Sequence, residues 1–289
     1  MLMLSRFVLV LTTAAIAAAA AARAADPPRP LEVLLVAGGC CHDYPTQTRL
    51  LKGGIEERIA ANVTVAYSPD TSTKARFEIY EKDDWAKPYD VVIHDECSAD
   101  VTDGAYVARI LAAHRAGTPA VNIHCAMHCY RWGEFRKPVT PGADNAGWFE
   151  MIGLQSTSHG PQFPIAVAYA DHSATAGLAD WTTINEELYN NIQVMPSATV
   201  LARGTQVVPP RDGRTGPTET EAVIAWTNEY GPGKTRIFST SLGHNNDTVG
   251  DDRYLDLVCR GLLWAAGKLA PDGSPAPGYA RTAEPAATP

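Results

Sequence analysis

Two stretches decide how this chain folds: Gly117-Thr-Pro-Ala-Val-Asn-Ile-His124-Cys-Ala-Met-His128 and Thr235-Arg-Ile-Phe-Ser-Thr-Ser-Leu-Gly-His244-Asn-Asn-Asp247. Each is a short β-rich run that stops abruptly on a histidine. In an open α/β sheet, strands deliver chemistry at their C-terminal ends, where loops and helix N-termini line a crevice. Two strands that each end on histidine therefore predict one site assembled from distant parts of the sequence.

The rest of the pattern supports such a sheet. Leu31-Glu-Val-Leu-Leu-Val-Ala37, closed by Gly38-Gly39, reads as a strand buried on both faces. A helix follows over 44–61, with Leu50, Leu51, Ile55 and Ile59 at helical spacing. Strands are predicted at 62–67 and 89–94, a helix at 102–116 capped by Asp100 or Thr102, and a fourth strand at 120–123. This alternation predicts a three-layer α/β sandwich whose sheet is mainly parallel. The second half is strand-rich, with β-like runs at 163–168, 199–203, 222–226 and 236–240 and an expected antiparallel contribution. An amphipathic helix over 251–268, with Leu255, Val258, Leu262 and Leu263 on its apolar side, closes the fold.

The ends read differently from the middle. Residues 1–25 carry Arg6, an apolar stretch over 7–22, and Ala22-Arg23-Ala24, the pattern of a cleaved signal peptide. The expected location is thus periplasmic or secreted. The Pro/Ala-rich tail over 271–289 is expected to be disordered or draped on the surface, leaving a folded domain over 26–270. Loss of the leader removes two arginines and no acid, taking the formal net charge from −8 to −10. That balance argues against nucleic acid or an anionic membrane as partner. Residues 209–217, rich in Pro and Gly, read as a surface loop. Six cysteines (40, 41, 97, 125, 129 and 259) are too few, and two of them too close together, for a dense disulfide framework. One bridge is compatible with the sequence, which cannot assign it; Cys97 and Cys259 read as small buried hydrophobes.

Several segments, taken in order, resemble the trehalose-utilisation (ThuA-like) family. They are Gly38-Gly39 with His42-Asp43, Gly117 to His124, Trp148-Phe-Glu-Met-Ile-Gly153 with His159, and Glu187-Leu-Tyr189. Ala225-Trp226 with Tyr230-Gly-Pro-Gly-Lys-Thr-Arg-Ile-Phe, Leu242-Gly-His244 and Gly261-Leu-Leu-Trp-Ala-Ala-Gly267 complete the set. The resemblance spans about residues 31–269. It implies a flavodoxin-like fold similar to class I glutamine amidotransferases, with a modified nucleophile-elbow region. It also implies a link to sugar metabolism, including disaccharides oxidised at the 3-position.

Six residues are the candidates for chemistry: His42, His124, His159, Glu187, Tyr189 and His244. His42 follows a double-glycine turn that lets a ligand approach the backbone. His124 and His128 are spaced i, i+4 and would share one face of a helix starting there; otherwise His128 packs behind. Glu187 and Tyr189, two apart on an extended segment, would face the same way. His159 is placed by the family resemblance in a polar turn, and Asp95 and Glu96 lie at the end of a predicted strand. Trp132, Trp148, Tyr130 and Trp226 are candidates for a sugar-stacking platform, or for core.

The expected function is an exported enzyme that acts on a small glycoside or disaccharide, including the 3-keto form, by His/Glu acid–base chemistry. His42, His124 and His244 could hold a divalent metal such as zinc or manganese; no nucleotide cofactor is expected. The expected partner is a small carbohydrate, with homo-oligomer formation left open. A non-catalytic carbohydrate-binding protein is the alternative. A cysteine-dependent amidohydrolase built on Cys125 is a further one, but the segment His-Cys-Ala-Met-His lacks the glycines of an elbow, and Asn-Asn follows His244 where a carboxylate would be needed.

Overall fold

Leu31–Gly39 forms β1, and its alternation builds two cores at once. Val33, Leu35 and Ala37 point to one face of the sheet, and Leu34 and Val36 to the other. The computed structural model describes residues 28–210 and 216–281. After β1 come α1 (Tyr44–Arg58), β2 (Ala61–Ser68), β3 (Val91–Cys97), α2 (Gly104–Arg115) and β4 (Ala120–Ile123). Then follow α3 (Gly147–Ile152), β5 (Leu154–Gln155), β6 (His159–Tyr169), β7 (Trp181–Tyr189), β8 (Gln193–Val194) and β9 (Ala198–Val208). The last elements are β10 (Thr218–Tyr230), β11 (Thr235–Thr240), α4 (Asn246–Val249) and α5 (Asp252–Ala265).

Nine strands form one sheet in the order β2-β1-β3-β4-β11-β10-β9-β6-β7. From β2 to β11 every pairing is parallel, and from β11 to β7 every pairing is antiparallel. The sheet is therefore an α/β sheet with a strand-rich antiparallel wing, as the sequence pattern indicates. Leu51 and Ile55 of α1 and Leu255 and Leu262 of α5 cover one face. Tyr106, Ile110 and Leu111 of α2, with Trp148 and Met151 of α3, cover the other. The helix starts are set locally. Asp43 caps α1 by accepting from the Thr46 N–H, and Asp251 caps α5 by accepting from the Arg253 N–H. Asp103, and not Asp100 or Thr102, caps α2 by accepting from the Ala105 and Tyr106 N–H groups.

The wing does not run straight out. Its pairings carry register shifts near Val223 to Trp226 and along β6, and such bulges bend the bulged strand. The edge strand β7 thereby meets the loop after β11, with Glu186 accepting from the His244 and Asn245 N–H groups. This return brings the end of β7 over the C-terminal ends of the parallel strands.

Of the tail expected to be disordered or draped on the surface, residues 271–281 are draped on the fold. The Ala60 N–H donates to the Tyr279 carbonyl, Ala280 bridges to Ile59, and Tyr279 is buried against the α1 side of the core. An aromatic anchor plus strand-like backbone pairing holds that segment down. The expected leader over 1–25, residues 211–215 of the Pro/Gly-rich loop, and residues 282–289 lie outside the described residues. Among the described residues no helix is long and apolar enough to cross a membrane.

Candidate functional site

Three parallel strands or their loops converge on one spot. β1 leads through Gly38-Gly39 to His42, β4 ends at His124, and β11 leads through Gly243 to His244. The ring centroids of His42 lie 4.8 Å from His124 and 4.8 Å from His244, and the latter two lie 5.4 Å apart. β7 adds Glu187 and Tyr189 from above, both facing the histidines as the two-residue strand period requires.

His124 occupies a strained position. Its φ is +42°, in the left-handed region that costs a non-glycine residue about 1–3 kcal/mol. The strand turns sharply there into a 3-10 segment over His124–His128. At a strand-to-helix elbow of this kind the strained residue presents its side chain at the sheet end, and here that residue is a buried imidazole and not the Cys125 thiol. The tautomer follows from the neighbours. His124 Nδ1 lies 2.7 Å from the Ser241 carbonyl oxygen, which can only accept, so Nδ1 carries the proton. Nε2 faces the Tyr189 hydroxyl at 3.2 Å and Glu187 at 3.6 Å, and in the neutral ring it carries the lone pair.

Glu187 is the electrostatic centre. Its carboxylate oxygens lie 3.6 Å from His124 Nε2, 3.3 Å from His244 Nδ1 and 3.5 Å from His159 Nδ1. Burial would raise its pKa, but contacts with His124 and His244 outweigh burial and hold it well below the usual carboxylate range. The His244 pKa is raised by its hydrogen bond to Glu187, against the effect of burial. His42 goes the other way: burial first, then the nearby His124 and His244, bring it down to about 3. One imidazole is thus biased toward carrying a proton and its neighbour toward staying neutral, the split that separates acid from base at a catalytic centre.

The same histidines fit a divalent ion. One ring nitrogen from each of His42, His124 and His244 lies within 4.8 Å of the other two. His42 Nδ1 is buried without a hydrogen-bond partner, His244 Nδ1 faces only the Glu187 carboxylate, and His124 Nε2 presents a lone pair in the neutral ring. Three imidazoles beside a carboxylate, once the rings are in their neutral form, make a donor set suited to zinc. A polar cavity of about 550 Å³, lined by Cys41, His42, Asp43, Ile184, His244 and Asn246 among others, opens onto the cluster.

Other expected residues fall elsewhere. His159 stands at the rim, largely solvated, with Nδ1 also 2.8 Å from the Gly160 carbonyl. His128 does not share a face with His124. It packs behind, stacked on Tyr189 at 4.1 Å with Nε2 2.9 Å from the Ser156 hydroxyl. Asp95 and Glu96 are buried beneath the sheet end and do not reach the cavity; burial and the adjacent Glu96 push the Asp95 carboxyl well up. The aromatic platform is not formed. Tyr130, Trp148 and Trp226 lie in the core, the two indole N–H groups donating to the Ala126 and Ile152 carbonyls, and Trp132 packs against the same cluster. A binding protein built on exposed rings loses its main support.

Cys125 Sγ lies 3.2 Å from His42 Nε2, the contact a thiol nucleophile would need. The chemistry opposes it. A hydrogen bond with Cys97, then burial, push the Cys125 thiol well above its ordinary value, while His42 is depressed. Neither member is inclined to ionise, so no thiolate–imidazolium pair is favoured. Cys40 and Cys41 are bonded to each other, and Cys97, Cys125, Cys129 and Cys259 are free and buried.

Two site residues escape sequence reasoning. Glu186 is fully buried and holds the His244 loop through its two backbone amides, each at 3.1 Å. Gln162 bridges His244 Nε2 at 2.8 Å and Glu187 at 3.3 Å. Glu186 sits beside Glu187 on a strand and points to the opposite face, so adjacency alone gives it no role. Gln162 reaches the site only because β6 pairs with β7.

A family model described as trehalose utilisation (ThuA) matches residues 32–265. The chain is similar in structure to a ThuA-like protein from Parabacteroides merdae, with a TM-score of 0.57 and 20% identity, over 87% of this chain and 97% of that one. It is similar also to a ThuA-like protein from Bacteroides uniformis, with a TM-score of 0.55 and 14% identity, over 85% and 94% of the two chains. At these identities the likeness is one of fold. No curated protein matches the chain.

Proposed function

Since this chain belongs to the trehalose-utilisation (ThuA) family, we propose that it is an exported enzyme acting on a small saccharide, with His42, His124, His244 and Glu187 as its acid–base centre. The observation that carries this reading is the opposed bias of two touching imidazoles, with the Glu187 carboxylate favouring the protonated form of His244 and burial keeping His42 neutral.

A saccharide oxidised to a ketone suits that arrangement. The carbonyl acidifies the neighbouring C–H, so one base and one proton donor suffice for isomerisation or for elimination of a glycosidic oxygen. His124 Nε2, with its lone pair fixed by the Nδ1–Ser241 hydrogen bond, is the base. His244, whose pKa is raised by its contact with Glu187, donates to the oxygen that develops negative charge. The Tyr189 phenol, kept protonated by burial, supplies a second donor beside His124. No strong nucleophile is needed, which agrees with the protonated Cys125 thiol. A divalent ion, if bound, would be held by His42, His124 and His244 and would supply Lewis-acid polarisation of the carbonyl.

The test is turnover of a panel of 3-keto-disaccharides beside the unoxidised sugars, for wild type, His124→Ala and His244→Ala. Consumption of the keto form alone, lost in both variants, is expected. Equal rates in all three proteins would refute the assignment.

A further inference from the structure

A second cluster lies next to the histidines and takes no part in the chemistry above. The Cys40 and Cys97 sulfurs are 3.4 Å apart, and the sulfurs of Cys40, Cys41 and Cys97 all lie within 4.8 Å of one another. Backbone geometry brings them together. Gly39, at φ +99°, leaves no room for a Cβ against the Cys97 carbonyl, and the Cys40 N–H donates to that same carbonyl. Cys41 then adopts a left-handed φ of +84°, uncommon for a residue with a side chain. Two glycine-permitted turns and one strained cysteine thus set three sulfurs around one point.

We propose that reduction of the Cys40–Cys41 bond opens a three-thiolate site, Cys40/Cys41/Cys97, for a soft thiophilic metal ion, separate from the histidine cluster. All three donors are sulfur, the set that selects soft ions over magnesium, calcium or manganese. Metal–sulfur bonds of about 2.3 Å place the sulfurs of one site roughly 3.8–4.0 Å apart; Cys40 and Cys97, at 3.4 Å, are near that spacing, and breaking the Cys40–Cys41 bond frees the third sulfur to move out to it. Cys41 is exposed and gives an entry, whereas Cys40 and Cys97 are buried and wall the site. The disulfide is the closed form: two of the three ligands are tied to each other. A dithiol reductant delivers two electrons and two protons to that bond and leaves as its own disulfide. Ion binding then releases the thiol protons to solvent.

The probe is Cd²⁺, titrated anaerobically into the full protein after dithiol reduction and removal of the reductant, and followed by its thiolate-to-metal charge-transfer absorption. About one equivalent should develop the band in wild type, Cys125→Ser and His124→Ala. The band should be lost in unreduced protein, in Cys97→Ser and in Cys41→Ser, whose exposed position makes it the variant safest for folding. A band of equal strength in unreduced protein, or retained in Cys41→Ser, would overturn the proposal. Loss in Cys125→Ser with retention in Cys41→Ser would do the same, by moving the ion to Cys97, Cys125 and His42.

Discussion

Replacing Glu186 by alanine tests whether the wing is what positions the site. The Glu186 carboxylate is fully buried and accepts one hydrogen bond from the His244 amide and one from the Asn245 amide, both at 3.1 Å. Alanine removes both acceptors together with the methylenes that carry them. A buried N–H left without a partner costs about 1–3 kcal/mol, and the partly exposed His244–Asn245 loop lets water recover some of this. The expected loss is therefore about 2–4 kcal/mol, a large share of the roughly 5–15 kcal/mol that holds a domain folded. Glu186→Gln keeps one acceptor and turns an amide N–H toward the other donor, so about half that loss is expected. Urea denaturation at neutral pH reads both, as a lower midpoint with an unchanged slope. If Glu186→Ala unfolds within about 0.5 kcal/mol of wild type, the two hydrogen bonds do not hold the loop and the wing does not position His244.

Three further outcomes follow from the charges. His114 is fully buried, its Nδ1–H donating to the Thr118 carbonyl at 2.7 Å and its Nε2 accepting from His94 at 2.9 Å. Burial, then His94, lower its pKa to about 3, below its ordinary value near 6.5. The unfolded chain takes up a proton below about pH 6.5 and the native state does not. The stability is thus complete above that pH and falls by about 2 kcal/mol by pH 5; a flat urea midpoint between pH 7 and 5 would refute this. Glu187→Gln removes the partner that raises His244, so the alkaline limb of the kcat/KM profile on a keto-disaccharide should move to lower pH; an unmoved limb would exclude His244 as the donor. Cys125→Ser should keep turnover, because the thiol is protonated in the native protein; abolished turnover would restore the cysteine mechanism.

Much of the scaffold was legible because it is written in local pattern. The two-sided apolar run of β1 gives a central strand, the apolar stripe of α5 gives a covering helix, and the histidines after β4 and β11 mark the sheet edge where sites form. The two-residue spacing of Glu187 and Tyr189 was also readable, since a strand period is local. What was not legible depends on distant contacts. Asn245 and Glu186 are 59 residues apart and meet through backbone amides, which look alike in any sequence. The curl of the wing arises from bulges in β6, β9 and β10 whose register only pairing defines. The tryptophans belong to the same case: Trp226 reads as core more readily than as sugar platform, and the Ile152 carbonyl 2.8 Å from its indole nitrogen places it in the core.

Deuterium wash-in into a 3-keto-disaccharide in D₂O, followed by proton NMR with wild type and His124→Gln, tests the central claim most directly. A base at His124 Nε2 predicts enzyme-dependent exchange at the carbons flanking the ketone, lost in the variant although it folds. Exchange no faster than in buffer, or equally fast in the variant, would contradict the acid–base centre described above.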